Sequence, residues 1–249
     1  MPRPDDPRLH PASVRTRYND QQHYLPIDPW HQRTAAEVRR CLARFWAGAA
    51  DLSGGIVLNA GSGATTLGVS AELIVSVDLS EATLTQQPNA VVGSVEALPL
   101  RSHSVQTIVC VGSVINYCDA AVTIQELARV LRPSGRLLLE FESSGSAELL
   151  RSSSHGAPAA VFESFYGSRV EVVWGYSLAY ISNLLRAVDF SIDRITPLHV
   201  LSPWILLATR RPALAAAFAR LDGVARSVPG FSRWASNYFL VCTKGQLSG

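Results

Sequence analysis

The hydrophobic rhythm of the chain changes at Gly54-Gly55. Before that point Ala35, Val38, Leu42, Phe45 and Trp46 recur at helical spacing, with Arg39, Arg40 and Arg44 between them. This spacing predicts an amphipathic helix over 34–46. After it come short apolar runs bounded by turn residues: IVLNAGSG (56–63), LIVSVD (73–78), AVVGS (90–94), TIVCVG (107–112) and RLLLEFE (136–142). Runs with little polar alternation are the pattern of strands buried on both faces, as in parallel sheets. Helical stretches lie between them, a short one over 80–87 and a clearer one over 119–131 that Pro133 and Gly135 close. Alternating strands and helices predict an α/β fold with a doubly wound, mostly parallel sheet.

The second half is less regular. AAVFESFY (159–166) and RVEVVWGY (169–176) flank Gly167-Ser168, a two-residue turn suited to a hairpin. Ser177 is placed to cap a helix whose Ile181, Leu184, Leu185 and Val188 form one apolar stripe. SIDRITPLHVL (191–201) and NYFLVCTK (237–244) read as two further strands around a helical segment near 213–227.

The 249 residues suit one large α/β domain with a small lid, and 47% hydrophobic content is enough to bury its core. The expected division is a mobile arm over 1–13, a helical cap over 14–54, and a domain over 55–249. That domain carries an inserted lid at about 143–176 and a helical insert at about 202–236. Net charge is +2, which argues against binding a polyanion by bulk charge. Cys41, Cys110, Cys118 and Cys242 are scattered, so neither a zinc site nor a disulfide framework is expected. No signal peptide or membrane-length apolar run is visible, and a cytoplasmic protein is the default expectation.

Candidate chemistry begins at Asn59-Ala60-Gly61-Ser62-Gly63-Ala64, a turn that leaves the first strand and enters a helix. Its glycines permit close backbone approach to a ligand, at the strand end where open sheets bind their ligands. The next strand ends in Asp78, where an acid can accept both hydroxyls of a ribose; the same residue also suits the N-cap of the following helix.

Taken in order, these residues resemble a class I S-adenosylmethionine-dependent methyltransferase of the short methyltransferase-domain branch. IVLNAGSG resembles its first motif and SVDLS its ribose-binding strand end. VVGSVEALPL is similar to the adenine-pocket motif, and TIVCVGSVINY to the fourth strand and active-site loop. ELARVLRPSGRLLLEF is similar to its helix, Pro-Gly turn and fifth strand. The resemblance implies a seven-stranded Rossmann-like sheet with its last strand, 237–244, antiparallel. It implies S-adenosylmethionine as cofactor, S-adenosylhomocysteine as product, and no metal. Gly61 and Gly63 would pass beneath the methionine and ribose, and Asp78 would hold the ribose with Leu79 packed on adenine. Ser94, Val95 and Glu96 would edge the adenine, and Gly112 and Ser113 would lie under the methionine. Three features depart from the pattern: Asn59 stands where an acid is usual, Ser94 where an Asp commonly reads the adenine amino group, and the helices after the first two strands are shortened. Asn and Ser keep hydrogen-bonding capacity there.

Methyl transfer from a sulfonium is an in-line displacement that needs alignment, exclusion of water and, for a weakly acidic nucleophile, a proton acceptor. Aromatic faces also suit a sulfonium. Tyr18, Asp20, His23, Tyr24 and Trp30 cluster before the first long helix. Of these, His23 is the candidate base, Asp20 its orienting acid, and Tyr18 and Tyr24 its aromatic neighbours. The expected substrate contacts are Trp30, Asn116, Tyr117, Phe165, Tyr166, Trp174, Tyr176, His199 and Trp204. For several of them simple packing is an equal reading. The expected reaction methylates an O, N or C atom of a small apolar or aromatic molecule, of the natural-product kind. The expected partner is that small molecule, with neither nucleic acid nor membrane, and the protein a monomer or homodimer. The alternatives are an RNA or protein methyltransferase, or a cofactor-binding homologue without methyl transfer.

Overall fold

The computed structural model describes residues 4–20, 29–48, 55–63, 65–69, 73–166, 169–228 and 230–246, apart from the side chains of Asp20, Phe165, Tyr166 and Arg169. The central strands are β1 (Ile56–Ala60), β2 (Ile74–Asp78), β3 (Ala90–Val92), β4 (Val105–Cys110) and β5 (Leu131–Glu142). After the hairpin β6 (Ala159–Tyr166) and β7 (Arg169–Tyr176) come β8 (Phe190–Leu198) and β9 (Asn237–Lys244). Seven strands form one sheet in the order β3-β2-β1-β4-β5-β9-β8, and β6 pairs with β7 alone. The first five are parallel, while β9 runs antiparallel to both β5 and β8. The expected seven-stranded Rossmann-like sheet with an antiparallel last strand is therefore what forms.

Side chains alternate across this sheet. Leu58, Ile108, Cys110, Leu137, Leu139 and Leu240 enter one core with Ile124, Leu127, Ile181 and Leu185. The latter four come from α4 (Ala120–Val130) and α5 (Leu178–Ala187). Val57, Val109, Leu138, Phe239 and Val241 enter the other, against Val38, Cys41 and Leu42 of α2 (Pro29–Gly48). Asp119 caps α4 by accepting from the Ala121 and Val122 amides. At the other end Lys244, the sole lysine, donates to the Ala128 and Leu131 carbonyls. A cation there also complements the helix dipole.

Three expectations change. The turn at 61–63 does not enter an α-helix: among the described residues no α-helix lies between β1 and β2. The expected helix over 80–87 is one turn, α3 (Glu81–Leu84). In the segment expected as an arm, Leu9 is buried against Val161 and Val172 of the hairpin.

The hairpin is fixed at its base. Asn116 is fully buried; its Oδ1 accepts from the Glu142 amide at 2.9 Å, and its Nδ2 donates to the Glu142 and Trp174 carbonyls at 3.1 and 2.6 Å. The Tyr176 hydroxyl donates to the Cys118 carbonyl at 2.6 Å. Arg17, on α1 (Pro11–Asp20), pairs with Glu171 of β7. Asn116→Ala strands three buried backbone groups, each worth about 1–3 kcal/mol when unsatisfied. We expect a loss on the order of 2–4 kcal/mol, given partial relaxation, and urea unfolding of the variant against wild type measures it.

Candidate active site

The C-terminal ends of the parallel strands lie along one sheet edge, and the candidate residues gather there. At β1, Gly61 takes φ +66°, and a Cβ added to it would sit 2.4 Å from Val114 Cγ1. The glycine is therefore needed both for conformation and for space. Gly63 takes φ +47°, with open space where a Cβ would lie. The Gly61 and Ser62 amides donate to the Val77 carbonyl. Asp78 links two turns, since its Oδ2 accepts from the Gly63 amide and its Oδ1 from the Ser80 amide, both at 2.8 Å. Each oxygen retains a lone pair that can accept a hydroxyl. The N-cap of α3 is Ser80, whose Oγ accepts from the Thr83 amide, so Asp78 is not that cap.

Asn59 is buried and its Nδ2 donates to the Thr65 carbonyl at 3.1 Å, which holds the turn rather than facing outward. Along the next loop, Ser94 Oγ accepts from the Glu96 amide, Val95 is buried, and Glu96 accepts from the Asp119 amide. Leu79 packs partly buried on the first core.

Beyond β4, Gly112 (φ +84°) and Ser113 (φ +59°) are both left-handed. Below them is a fully buried carboxylate, Glu140 of β5. Its Oε2 accepts from the Gly112 amide at 2.9 Å and the Ser113 amide at 2.7 Å, and its Oε1 from Asn237 Nδ2 at 2.7 Å. Burial pushes its pKa up, and the three donors oppose that shift. The sequence reading missed Glu140 and Asn237. The available signal was an acid inside the apolar run 136–142, at a position that alternation turns inward.

The N-terminal cap reaches the same edge. Tyr18 meets Tyr117 edge to face at 5.7 Å, and Asn19 accepts from the Ser80 hydroxyl. His23 and Tyr24, and the side chains of Asp20, Phe165 and Tyr166, lie outside the described residues. On the hairpin, Trp174 and Tyr176 stack at 5.9 Å. The structure brings Tyr18, Tyr117, Trp174 and Tyr176 to the edge, but it engages Asn116 and the Tyr176 hydroxyl in holding backbone.

His199 leaves β8 with φ +53° and is 1% exposed. Its ring stacks on Trp30 at 4.1 Å, so these two candidates pack on each other. Nε2 lies 2.8 Å from Thr34 Oγ1, and Nδ1 lies 3.1 Å from Ser202 Oγ. The Ser202 hydroxyl donates to Asp222, which makes Nδ1 the protonated nitrogen and His199 a hydrogen-bonded core histidine. Trp204 stands apart with Phe231 and Trp234, at 6.2 and 5.5 Å. His155 stacks on the other side of that group, 5.4 Å from Trp234.

Residues 58–139 match the family model described as methyltransferase domain. The match is confined to residues 58–139, and the sheet order and strand-end turns around it are similar to those of the class I S-adenosylmethionine-dependent methyltransferases. The 1,6-didemethyltoxoflavin-N1-methyltransferase of Burkholderia thailandensis, solved with 1,6-didemethyltoxoflavin and S-adenosylhomocysteine, is similar in fold. Its TM-score is 0.59 at 14% identity, over 99% of this chain and 93% of that one. A protein from Listeria monocytogenes described as an S-adenosylmethionine-dependent methyltransferase gives 0.57 at 13% identity, over 85% and 100%. The [4+2]-cyclase SpnF gives 0.52 at 16% identity, over 84% and 80%. No curated protein matches the sequence.

The residues present fit S-adenosylmethionine. Open space lies over Gly63 and Gly112, and Asp78 stands at the end of β2. Among the described residues no helix is long and apolar enough to cross a membrane.

Burial holds the His199 pKa down at about 3, against an ordinary value of 6.5. A depressed histidine contributes its full stability above pH 6.5, and this is lost as pH falls toward 3. Between pH 6.5 and 5 we expect urea stability to fall by up to about 1.4 kcal/mol per pH unit from this group. His199→Asn, which tolerates the left-handed backbone, should flatten that slope.

Proposed function

We propose that the protein transfers the methyl group of S-adenosylmethionine to an O, N or C atom of a small, largely apolar or aromatic molecule of the natural-product kind. The observation that carries this reading is the β6–β7 hairpin, held to the loop after β4 by Asn116 and the Tyr176 hydroxyl, with Trp174 and Tyr176 stacked on each other. An aromatic wall held this way shields a compact substrate and keeps water from the sulfonium. The near-neutral charge also favours a small substrate over a polyanion.

Bound S-adenosylmethionine supplies the electrophilic methyl. In this reading Asp78 holds the ribose, while the turns at 61–63 and 112–113 carry the methionine end. Ser94, Val95 and Glu96 edge the adenine. The cap residues Tyr18, Asp20, His23 and Tyr24 close the site, with His23 taking the proton from the nucleophile. A fold shared with a cyclase motivates a second arm in the assay: substrate conversion without the mass of an added CH2 unit supports a non-methylating homologue.

Two substitutions test the arrangement. Asp78→Ala should weaken S-adenosylhomocysteine binding on the order of 10–100-fold by calorimetry, the loss expected for charge-assisted hydroxyl contacts. Unchanged affinity overturns the ribose assignment. His23→Ala should lower turnover roughly 100-fold or more with cofactor affinity unchanged; near-wild-type turnover removes His23 as the base.

A further inference from the structure

Glu140 is a carboxylate with no cation within ion-pair distance among the described residues. An acid buried without a counter-charge is costly, even when hydrogen-bonded. Three donors converge on it, two of them the amides of consecutive left-handed residues. A left-handed non-glycine such as Ser113 carries conformational strain, and the carboxylate holds it in place.

That arrangement has a directional consequence. No peptide among the described residues is cis. In a trans peptide the carbonyl points opposite to the N–H. With the Gly112 and Ser113 N–H groups fixed on Glu140, the carbonyls of Val111 and Gly112 are turned to the opposite side. Two carbonyl dipoles backed by one negative charge attract a cation.

The sheet register restricts where that cation lies. Cys110 pairs with Leu139, so Glu140 stands one step beyond the last paired residue of β4. Alternation puts Asn59, Glu140 and Asn237 on the α2 side of the sheet, since their neighbours Leu58, Leu139 and Tyr238 enter the other core. On this face Asn59 is neutral and bound to the Thr65 carbonyl, Asn237 is a neutral donor, and Asp78, which alternation turns the same way, is engaged by the Gly63 and Ser80 amides. Glu140 is the acid on this face that accepts from the Gly112 and Ser113 amides.

We infer that Glu140 is the positioning residue for the α-ammonium of the cofactor's methionine end, aiming the Val111 and Gly112 carbonyls at it and supplying the negative charge behind them. The inference rests on the proposed placement of the methionine end over 112–113.

The test compares two ligands that share adenosine and a thioether. S-Adenosylhomocysteine carries the amino-acid end, and 5′-methylthioadenosine lacks it. Glu140→Gln preserves the scaffold, because Gln Oε1 can accept the two amides while Asn237 flips to accept from Gln Nε2. By calorimetry, Glu140→Gln should bind S-adenosylhomocysteine at least 10-fold more weakly and 5′-methylthioadenosine within 2-fold of wild type. In a variant that still binds 5′-methylthioadenosine, equal weakening of both ligands, or no effect on either, overturns the inference.

If Glu140→Gln fails to bind 5′-methylthioadenosine, the double variant Glu140→Gln/Asn237→Asp is read instead, since it returns the charge to the same hydrogen-bonded pair. Recovery of most of the wild-type preference for S-adenosylhomocysteine supports the inference, and its absence overturns it. Asp78→Ala separates this from failure of the underlying placement. It should weaken both ligands, and no effect on either means that the cofactor lies elsewhere.

Discussion

Parallel strands covered on both faces are the constraint on which this molecule depends. Once α2 seals one side of the sheet and α4 and α5 the other, only the strand ends remain open. All five parallel C-termini fall along one edge, so their turns must meet there. The pairings bring Gly61, Asp78 and Gly112 together, although they are far apart in the chain. Ligand binding at such an edge follows from architecture before any particular side chain is considered.

Polar side chains buried at that edge mostly hold backbone. Asn59 fixes the first turn, Asn116 joins β5 to the hairpin, and Asp78 ties the glycine turn to the start of α3. Such groups are satisfied because an unpaired buried donor or acceptor costs as much as several hydrophobic contacts gain. The strand-end turns are thus tied to one another. The hairpin is equally fixed at its base.

Two of the buried acids are used in different ways. Asp222 accepts from the Leu201 and Ser202 amides and the Ser202 hydroxyl, and its network holds His199 beneath Trp30. Glu140 sits under the loop after β4, where three donors favour its charged form although burial opposes it. The first network closes on itself as structure, while the second ends at a loop facing the open edge.

The sequence by itself determined the strands, the order of the fold and the hairpin, because apolar runs, glycine turns and Ser177 are local signals with local causes. It also located Gly61, Gly63, Asp78 and Gly112, which sit at strand ends visible in the pattern. Only the tertiary structure decided the rest. Asn116 and His199 looked like substrate contacts because they are polar residues after strands, and long-range pairing gave them backbone and hydroxyl partners instead. The turn after Gly63 read as opening a shortened helix, and among the described residues no α-helix follows it before β2. Glu140 lay unseen inside an apolar run, since its meaning comes from Gly112 and Ser113 on one neighbouring strand's loop and Asn237 on the other neighbour. Periodicity reports which face a side chain takes, but the partners it meets there are set by register across the sheet.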